Sequence, residues 1–341
     1  MPAHPAATPA NNEAAAEALP VAPASPDTPH ADAGAPLRIA FLGPTGTFTE
    51  QAVRQIAPAN SQLEPKVSVP VALEAVRTGE ADRAVVPIEN SIEGGVNATI
   101  DALSEGSPLV IVAETTVQIS FVLAVPPGTK MEEIRRVGTH PHAWAQCHHW
   151  MEQHLPRAIH VPTTSTAAAA QLLSEGDESY QGVLCNAVSL EAYGLEALAT
   201  GVADNPDAVT RFVMVSRPGS LPRPTGADKT TIQVSLPSDE AGSLMSMLEQ
   251  FSVRGVNLSR IESRPAEHGL WLYSFSIDIA GHIEEERVQA ALVGLHRTCP
   301  EVKFLGSYPR VDGVRAEIQP GTSDEEFQQA RDWVAGILGR K

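Results

Sequence analysis

The sequence predicts an α/β protein with two folded parts, a larger domain built on a mainly parallel sheet and a smaller βαββαβ unit. From Arg38 onward, short apolar runs alternate with amphipathic, Ala-rich segments, which is the pattern of strands linked by helices. Pro218, Pro222 and Pro224 then interrupt this pattern, because proline cannot continue a central strand or a helix interior. The length of 341 residues also exceeds that of a usual single compact domain.

The N-terminal segment, residues 1–36, is dominated by Ala and Pro. It has neither the basic start nor the apolar run of a signal peptide, so we expect a disordered extension. The three cysteines, Cys147, Cys185 and Cys299, show no C-x-x-C spacing, which favours reduced thiols. No stretch is long and apolar enough to span a membrane. These features together predict a cytoplasmic protein.

The net charge narrows the choice of ligand. With a formal charge of -17 and a pI near 5.0, the surface repels phosphate backbones and anionic lipids, so nucleic acid and membranes are not expected partners. A small molecule is the expected ligand. It can still be an anion, provided that Arg side chains and helix N-termini reverse the field locally.

The first domain is predicted over residues 37–217 and is followed by a linker over residues 218–228. Helices fill most of the gaps between its strands. The predicted strands are Arg38–Leu42, Arg83–Ile88, Leu109–Ala113, Phe121–Val125, Arg136–Val137, Ile159–Val161, Gly182–Cys185 and Phe212–Val215.

The second unit is predicted over residues 229–308, with the order of a ferredoxin-like fold. Residues 309–341 form a tail that ends in a helix, because Ser323 and Glu326 make a capping box ahead of an apolar stripe. The predicted elements of the unit are Thr230–Leu236, Gly242–Arg254, Leu258–Ser263, Tyr273–Ile279, Glu284–His296 and Val302–Leu305.

Four polar loops in the first domain follow predicted strands and precede predicted helices. In an open α/β sheet, ligands bind beyond the carboxyl ends of the strands, so these loops are placed to share one small anion. The alternative is that their Ser and Thr side chains are ordinary helix N-caps. The loops are 42–49 (LGPTGTFT), 86–91 (VPIENS), 137–141 (VGTHP) and 161–167 (VPTTSTA).

Nucleotide and metal chemistry are not indicated. The Gly-rich loop lacks the lysine of a P-loop, and no G-x-G-x-x-G follows a strand. Trp144, Cys147, Met151 and Leu155 recur at helical spacing, which buries Cys147 and directs its neighbours elsewhere. We therefore expect no cofactor and no metal site in the one zinc-like group, which consists of His140, His142, Cys147, His148, His149 and His154.

Taken in order, the motifs resemble those of the prephenate dehydratase family, from Arg38 to about Tyr308. The most specific is Pro87-Ile88-Glu89-Asn90-Ser91-Ile92-Glu93-Gly94; Thr210-Arg211-Phe212 closes the first domain, and Glu262-Ser263-Arg264-Pro265 resembles the family's regulatory motif. The resemblance implies a bilobed catalytic domain, like a periplasmic binding protein, followed by an ACT domain. It also implies a homodimer or homotetramer, prephenate as substrate and phenylalanine as effector.

The same resemblance implies roles for particular residues. Thr210 is expected to face the leaving hydroxyl group of the substrate, and Arg211 to clamp a carboxylate with its planar guanidinium. Further substrate contacts are expected from Thr47, Asn90, Ser91, Thr139, His140, Ser165, Thr166 and Phe212. Phenylalanine is expected at Ala241, Gly242, Ser243, Leu244, Asn257, Glu262 and Ser263.

Two departures and two alternatives accompany the resemblance. Family members commonly have Gln in place of His142 and Asn in place of Ala208. Arogenate is an alternative substrate, and Glu89 and Glu93 are available to accept its ammonium group. A non-catalytic protein that senses an aromatic amino acid is the other alternative.

Overall fold

The computed structural model describes residues 36–238, 240–265 and 273–339. Within these ranges the chain forms two α/β lobes, a βαββαβ unit and a C-terminal helix. The predicted extension over residues 1–36 lies almost wholly outside the described residues. No helix in the described ranges is long and apolar enough to cross a membrane.

The first lobe is a mixed sheet with the strand order β2-β1-β3-β11-β5, and the two-residue strand β4 pairs with β3. β1 pairs in parallel with β2 and β3, whereas β11 runs antiparallel to both β3 and β5. Its strands are β1 Arg38–Leu42, β2 Gln62–Lys66, β3 Arg83–Asn90, β4 Gly94–Gly95, β5 Val110–Gln118 and β11 Val209–Ser216. Its helices are α1 Phe48–Ile56, α2 Val69–Thr78 and α3 Asn97–Ser104.

The second lobe is a five-stranded sheet with the order β10-β6-β9-β7-β8. β7 pairs in parallel with β8 and β9, and β6 runs antiparallel to β9 and β10. Its strands are β6 Val122–Val125, β7 Arg136–Thr139, β8 Ile159–Pro162, β9 Gly182–Cys185 and β10 Glu196–Thr200. Its helices are α4 Pro141–Gln146, α5 His148–His154, α6 Thr166–Ser174 and α7 Val188–Tyr193.

Among the described residues, the first lobe contains two strands that run against its others, β4 and β11, and the second lobe contains one, β6. Both β6 and β11 follow a passage of the chain from one lobe to the other. The α/β architecture expected from the sequence is confirmed, but each sheet is mixed instead of mainly parallel, because β11 is antiparallel to both β3 and β5, and β6 to both β9 and β10. Two polar edge strands, β2 and β10, were not predicted. Their Gln62, Glu64 and Glu196 lack the alternating apolar pattern on which strand prediction depends.

The βαββαβ unit follows, with the sheet order β13-β14-β12-β15. Helices α8 and α9 cover one face of this sheet through Met247, Phe251, Val288 and Leu295. The opposite face is polar and packs against the first lobe, where Tyr308 joins the apolar core. The elements are β12 Asp228–Ser235, α8 Ser243–Ser252, β13 Leu258–Pro265, β14 Tyr273–Ala280, α9 Glu286–Thr298 and β15 Glu301–Pro309.

The tail ends in α10, Asp324–Ile337, as its capping box predicts: the Ser323 hydroxyl accepts from the Glu326 backbone N–H, and the Glu326 carboxylate accepts from that of Ser323. Helix α10 lies against α9, and the Arg331 guanidinium pairs with Glu286. Trp333 and Ile337 remain exposed.

Candidate active site

Thr210 and Asn90 make the central polar contact where the two lobes meet. They are register partners, at the start of β11 and the end of β3. The Asn90 amide Nδ2 donates to Thr210 Oγ1 at 2.8 Å, while Asn90 Oδ1 accepts from the backbone N–H groups of Ile92 at 2.8 Å and Glu93 at 3.2 Å. These two backbone donors fix which end of the amide faces Thr210. The Thr210 hydroxyl therefore accepts from Asn90 and keeps its own proton for another acceptor.

Ser91 supports the same strand one residue beyond Asn90. Its hydroxyl accepts from the Val209 backbone N–H at 3.0 Å, and its own backbone N–H donates to the Val209 carbonyl at 2.9 Å. The side chain thus extends the pairing of β11 beyond the end of β3. This contact fixes the residue immediately before Thr210.

Three of the predicted substrate residues turn out to cap helices. Thr47 precedes α1 and accepts from the Glu50 backbone N–H at 3.2 Å. Ser165 precedes α6 and accepts from that of Ala168 at 2.9 Å, and His140 Nδ1 accepts from that of His142 at 3.3 Å ahead of α4. The N-cap alternative raised for the Ser and Thr side chains therefore holds for Thr47 and Ser165, and His140 also caps a helix, which the sequence did not predict. They place helix N-termini near the junction of the lobes.

Thr139 and Thr166 flank two of these caps. Thr139 ends β7, is fully buried and donates its hydroxyl proton to the Leu184 carbonyl at 2.7 Å. The backbone then joins the two loops, since the Thr163 N–H donates to the Thr139 carbonyl at 3.0 Å. Thr166 is the first residue of α6 and is half-buried. The structure thus brings the two polar loops of the second lobe, 137–141 and 161–167, side by side.

A close contact between the side chains of Glu93 and His142 connects the two lobes directly. Glu93 follows β3 in the first lobe, His142 lies on α4 in the second, and the Glu93 Oε1 to His142 Nδ1 distance is 2.5 Å. The His140 ring lies 5.0 Å from that of His142, centroid to centroid. Partial burial, and then the neighbouring His142, lower the pKa of His140. A neutral His140 is therefore favoured near pH 7.

Arg211, which was expected to clamp a substrate carboxylate, is directed toward the βαββαβ unit instead. Successive side chains of a strand point to opposite faces, so Arg211 points away from the side on which Thr210 meets Asn90. Its guanidinium Nε donates to Glu114 at 2.6 Å, Nη1 to Asp278 at 2.5 Å and Nη2 to the Tyr308 hydroxyl at 2.9 Å. All three nitrogens are thus engaged at the contact with the βαββαβ unit.

Phe212 and Glu89 are also placed differently from the expectation. Phe212 is 2% exposed and packs in the first-lobe core with Phe41 and Val85, so it supports the sheet instead of offering a surface to a ligand. Glu89 lies 3.3 Å from Arg211, on the face that meets the βαββαβ unit. Of the two carboxylates considered for an ammonium group, only Glu93 lies at the junction of the lobes.

The residues expected to bind phenylalanine are divided between two faces of the βαββαβ unit. Gly242, with φ of 96°, is the N-cap of α8, and Ala241, Ser243 and Leu244 surround it. Glu262 lies on the other face of the sheet, where its carboxylate approaches Arg260 at 3.3 Å. Asn257 and Ser263 are exposed. The structure therefore does not bring Glu262 and Gly242 together within one chain.

The zinc-like cluster does not converge. Cys147 is buried, and burial raises the pKa of its thiol to about 12. His149 contacts Asp204 at 3.2 Å, whereas His148 turns to Glu152 at 3.2 Å. Within residues 36–238, 240–265 and 273–339, no group of three or more His, Cys, Asp or Glu side chains is arranged to hold a metal ion.

These features define a class: a two-lobed α/β protein with a hydroxyl- and amide-rich junction between the lobes and an appended βαββαβ unit. The prephenate dehydratase family model matches residues 39–220. A prephenate dehydratase of Amycolatopsis methanolica is 46% identical over 301 residues, which span 88% of this chain and 97% of the relative. The chain therefore belongs to the prephenate dehydratase family.

Two solved structures are similar to this fold. The crystal structure of a prephenate dehydratase from Arthrobacter aurescens, in complex with L-Phe, has 52% sequence identity and a TM-score of 0.85 and covers 89% of this chain and 100% of its own. A structure of GqqA, described as a novel type of quorum-quenching acylase, has 31% identity and a TM-score of 0.73, with coverage of 80% and 97%.

Proposed function

We propose that this chain converts prephenate to phenylpyruvate at the junction of its lobes, without a cofactor. The prephenate dianion would yield the phenylpyruvate monoanion, carbon dioxide and hydroxide, so that atoms and charge balance. Aromatisation of the ring supplies the driving force. The protein then has to position the substrate and to stabilise the departing oxygen.

The hydrogen bond from Asn90 to Thr210 carries this proposal. Because Asn90 occupies a lone pair of the Thr210 oxygen at 2.8 Å, the hydroxyl proton is directed to a different acceptor. A hydroxyl group leaving the substrate ring is such an acceptor. Threonine is a weak acid, so Thr210 would stabilise the leaving oxygen by a hydrogen bond or relay a proton to it.

Carboxylate recognition would then rest on helix N-termini and neutral donors. Thr47 and Ser165 cap α1 and α6, whose first backbone N–H groups favour negative charge. Thr166 adds a hydroxyl at the start of α6, and His142 would add a cation when it is protonated. Arg211 has no direct role in this arrangement because its three guanidinium nitrogens are engaged elsewhere.

The βαββαβ unit, residues 229–308, would serve as an ACT domain that binds phenylalanine. Gly242 opens the ten-residue helix α8 in a left-handed conformation and no side chain caps the helix, so the backbone N–H groups of its first turn beyond Ser243 are placed for an amino-acid carboxylate. Ala241, Ser243 and Leu244 would line that site. Asn257, Glu262 and Ser263 would belong to it through a paired copy, which makes a homodimer or homotetramer the working assembly. Free, buried cysteines fit a cytoplasmic enzyme.

The test is phenylpyruvate formation from prephenate by the purified full chain, with no added metal or nucleotide. We expect turnover that phenylalanine modulates, and a loss on the order of 100- to 1,000-fold in kcat for Thr210→Ala. Thr298→Ala is a matched control, because that hydroxyl bonds only within α9 and the start of its C-terminal cap. Wild-type kcat in Thr210→Ala would remove Thr210 from the mechanism.

A direct comparison of kcat/KM for prephenate and arogenate tests the choice of substrate. Glu93 is paired with His142 across the lobes, and Glu89 lies on the far face of β3, so we expect prephenate to be preferred. A higher kcat/KM for arogenate would mean that Glu93 leaves His142 to accept the ammonium group.

A further inference from the structure

A cluster of buried charges joins the strand that carries Thr210 to the βαββαβ unit. Glu114 and Asp278 are its buried carboxylates, with side chains 1% and 0% exposed. The side chains of its three cations, Arg211, Lys229 and Arg260, are 9%, 10% and 6% exposed. The members are Glu114 on β5, Arg211 on β11, Lys229 on β12, Arg260 on β13 and Asp278 on β14, with the hydroxyls of Thr231 and Tyr308.

Arg211 is the hub of this cluster. It donates to Glu114 within its own lobe and to Asp278 and Tyr308 of the βαββαβ unit. Asp278 in turn accepts two hydrogen bonds from Arg260, each 3.1 Å long. Burial by itself would raise the pKa of Asp278, but Arg211 and Arg260 outweigh it and lower that pKa below its ordinary value. Asp278 is therefore ionised, and removing either Arg211 or Asp278 would unbalance the charges that are buried in the cluster.

The cluster acts on β11 at a sensitive place. The pairing of β11 with β3 shifts register between Arg211 and Phe212, one residue pair beyond Thr210–Asn90. A register shift disrupts the backbone ladder locally, so side-chain contacts have to hold the strand there. On one face Thr210 is held by Asn90, and on the other Arg211 is held by Asp278.

We propose that Arg211 is a positioning residue whose anchor, Asp278, belongs to the βαββαβ unit, so that the catalytic junction is complete only while this unit is docked. This proposal rests on the role of Thr210 proposed above. It also gives a route to regulation, because Glu262 contacts Arg260, and Arg260 contacts Asp278. A displacement of β14 would reach the residue next to Thr210 through Asp278 and Arg211, and a displacement of β13 would reach it through Arg260 and the same two side chains.

The test is a double-mutant cycle on the full chain with Arg211→Gln and Asp278→Asn. Each variant is expected to lower kcat at least about tenfold while KM stays within about twofold. The kcat of the double variant is expected to match that of the worse single variant within about twofold, because both changes remove the same contact, the one between Arg211 and Asp278. Phenylalanine modulation is expected to weaken in Asp278→Asn. Arg331→Gln, at an exposed ion pair with Glu286, is the control and should leave all values unchanged.

Three outcomes would overturn the proposal. The first is a raised KM with unchanged kcat in Arg211→Gln together with wild-type behaviour of Asp278→Asn, which is the signature of a substrate clamp. The second is multiplicative loss in the double variant. If either variant fails to fold, Tyr308→Phe replaces it, because this change removes the 2.9 Å hydrogen bond from Arg211 and keeps the aromatic ring. The third outcome that would overturn the proposal is a wild-type kcat in Tyr308→Phe.

Amide exchange separates this proposal from the proposed function. Peptides that cover β11 should exchange faster in Asp278→Asn than in the wild type, and this readout needs no turnover. Absence of prephenate turnover in the wild type, with faster exchange in the variant, would remove the proposed function and keep the anchor. Unchanged exchange in β11 would remove the anchor even if the enzyme were active.

Discussion

Replacing Asn90 by aspartate should abolish most of the activity without removing any side-chain contact seen at this position. In the native arrangement Asn90 Nδ2 donates to Thr210 Oγ1 at 2.8 Å. The aspartate has an acceptor at the same place, so the Thr210 hydroxyl has to donate to it and loses its proton for the substrate. The change is therefore equivalent to deleting the donor, which typically costs on the order of 100- to 1,000-fold in rate.

Aspartate is preferred to alanine because its remaining oxygen still accepts from the backbone N–H groups of Ile92 and Glu93. The assay is steady-state phenylpyruvate formation by Asn90→Asp, Thr210→Ala and the double variant. The double variant should be no slower than Thr210→Ala, since both act through one hydroxyl proton. Asn97→Asp, exposed at the start of α3, adds the same charge as a control. Native kcat in Asn90→Asp, or further loss in the double variant, would refute this reasoning.

Three further predictions follow from local geometry. Gly306→Ala should lower the free energy of urea unfolding by more than about 1 kcal/mol, because φ is +135° and an added Cβ would lie 2.2 Å from the Ile111 carbonyl oxygen. Gly313→Ala, also at positive φ but with open space around it, should cost less, and equal losses would exclude the clash. Since burial lowers the pKa of His140, the unfolded state binds its proton first, so stability should fall as pH drops below about 6.5, and less so in His140→Gln. Cys147, whose pKa burial raises to about 12, should resist a thiol reagent until the protein unfolds; rapid labelling of the native protein would contradict its burial.

The alternation of apolar and polar segments was enough to predict most of the architecture. β1 and β9 have the predicted limits, and the order of the βαββαβ unit is as expected. The edge strands β2 and β10 could not be predicted, because half-exposed strands such as Gln62–Lys66 do not need an apolar face. Such strands form because they pair with strands that are distant in sequence, and a local sequence pattern does not contain that information.

The candidate site was predictable by residue type but not by orientation. Asn90 and Thr210, both candidate site residues, are in hydrogen-bond contact, whereas Arg211, one position further, faces the opposite way. Strand alternation already implied that Thr210 and Arg211 cannot share a face. One feature of the sequence indicated the residue that binds Arg211. Asp278 lies within β14, a strand that alternates apolar residues with Ser274 and Ser276, so its carboxylate falls on the polar face of that strand.

The presence of a carboxylate on this strand is explained by what covers each face of the βαββαβ sheet. Helices α8 and α9 bury only one face of the βαββαβ sheet, so its other face should carry polar residues for solvent. Instead, Thr231, Ser276 and Asp278 on that face are buried against the first lobe. Burying a carboxylate is costly unless cations meet it, and Arg211 and Arg260 do so. A polar docking face of this kind holds the unit in place by directional contacts, and an effector can alter such contacts without unfolding either core.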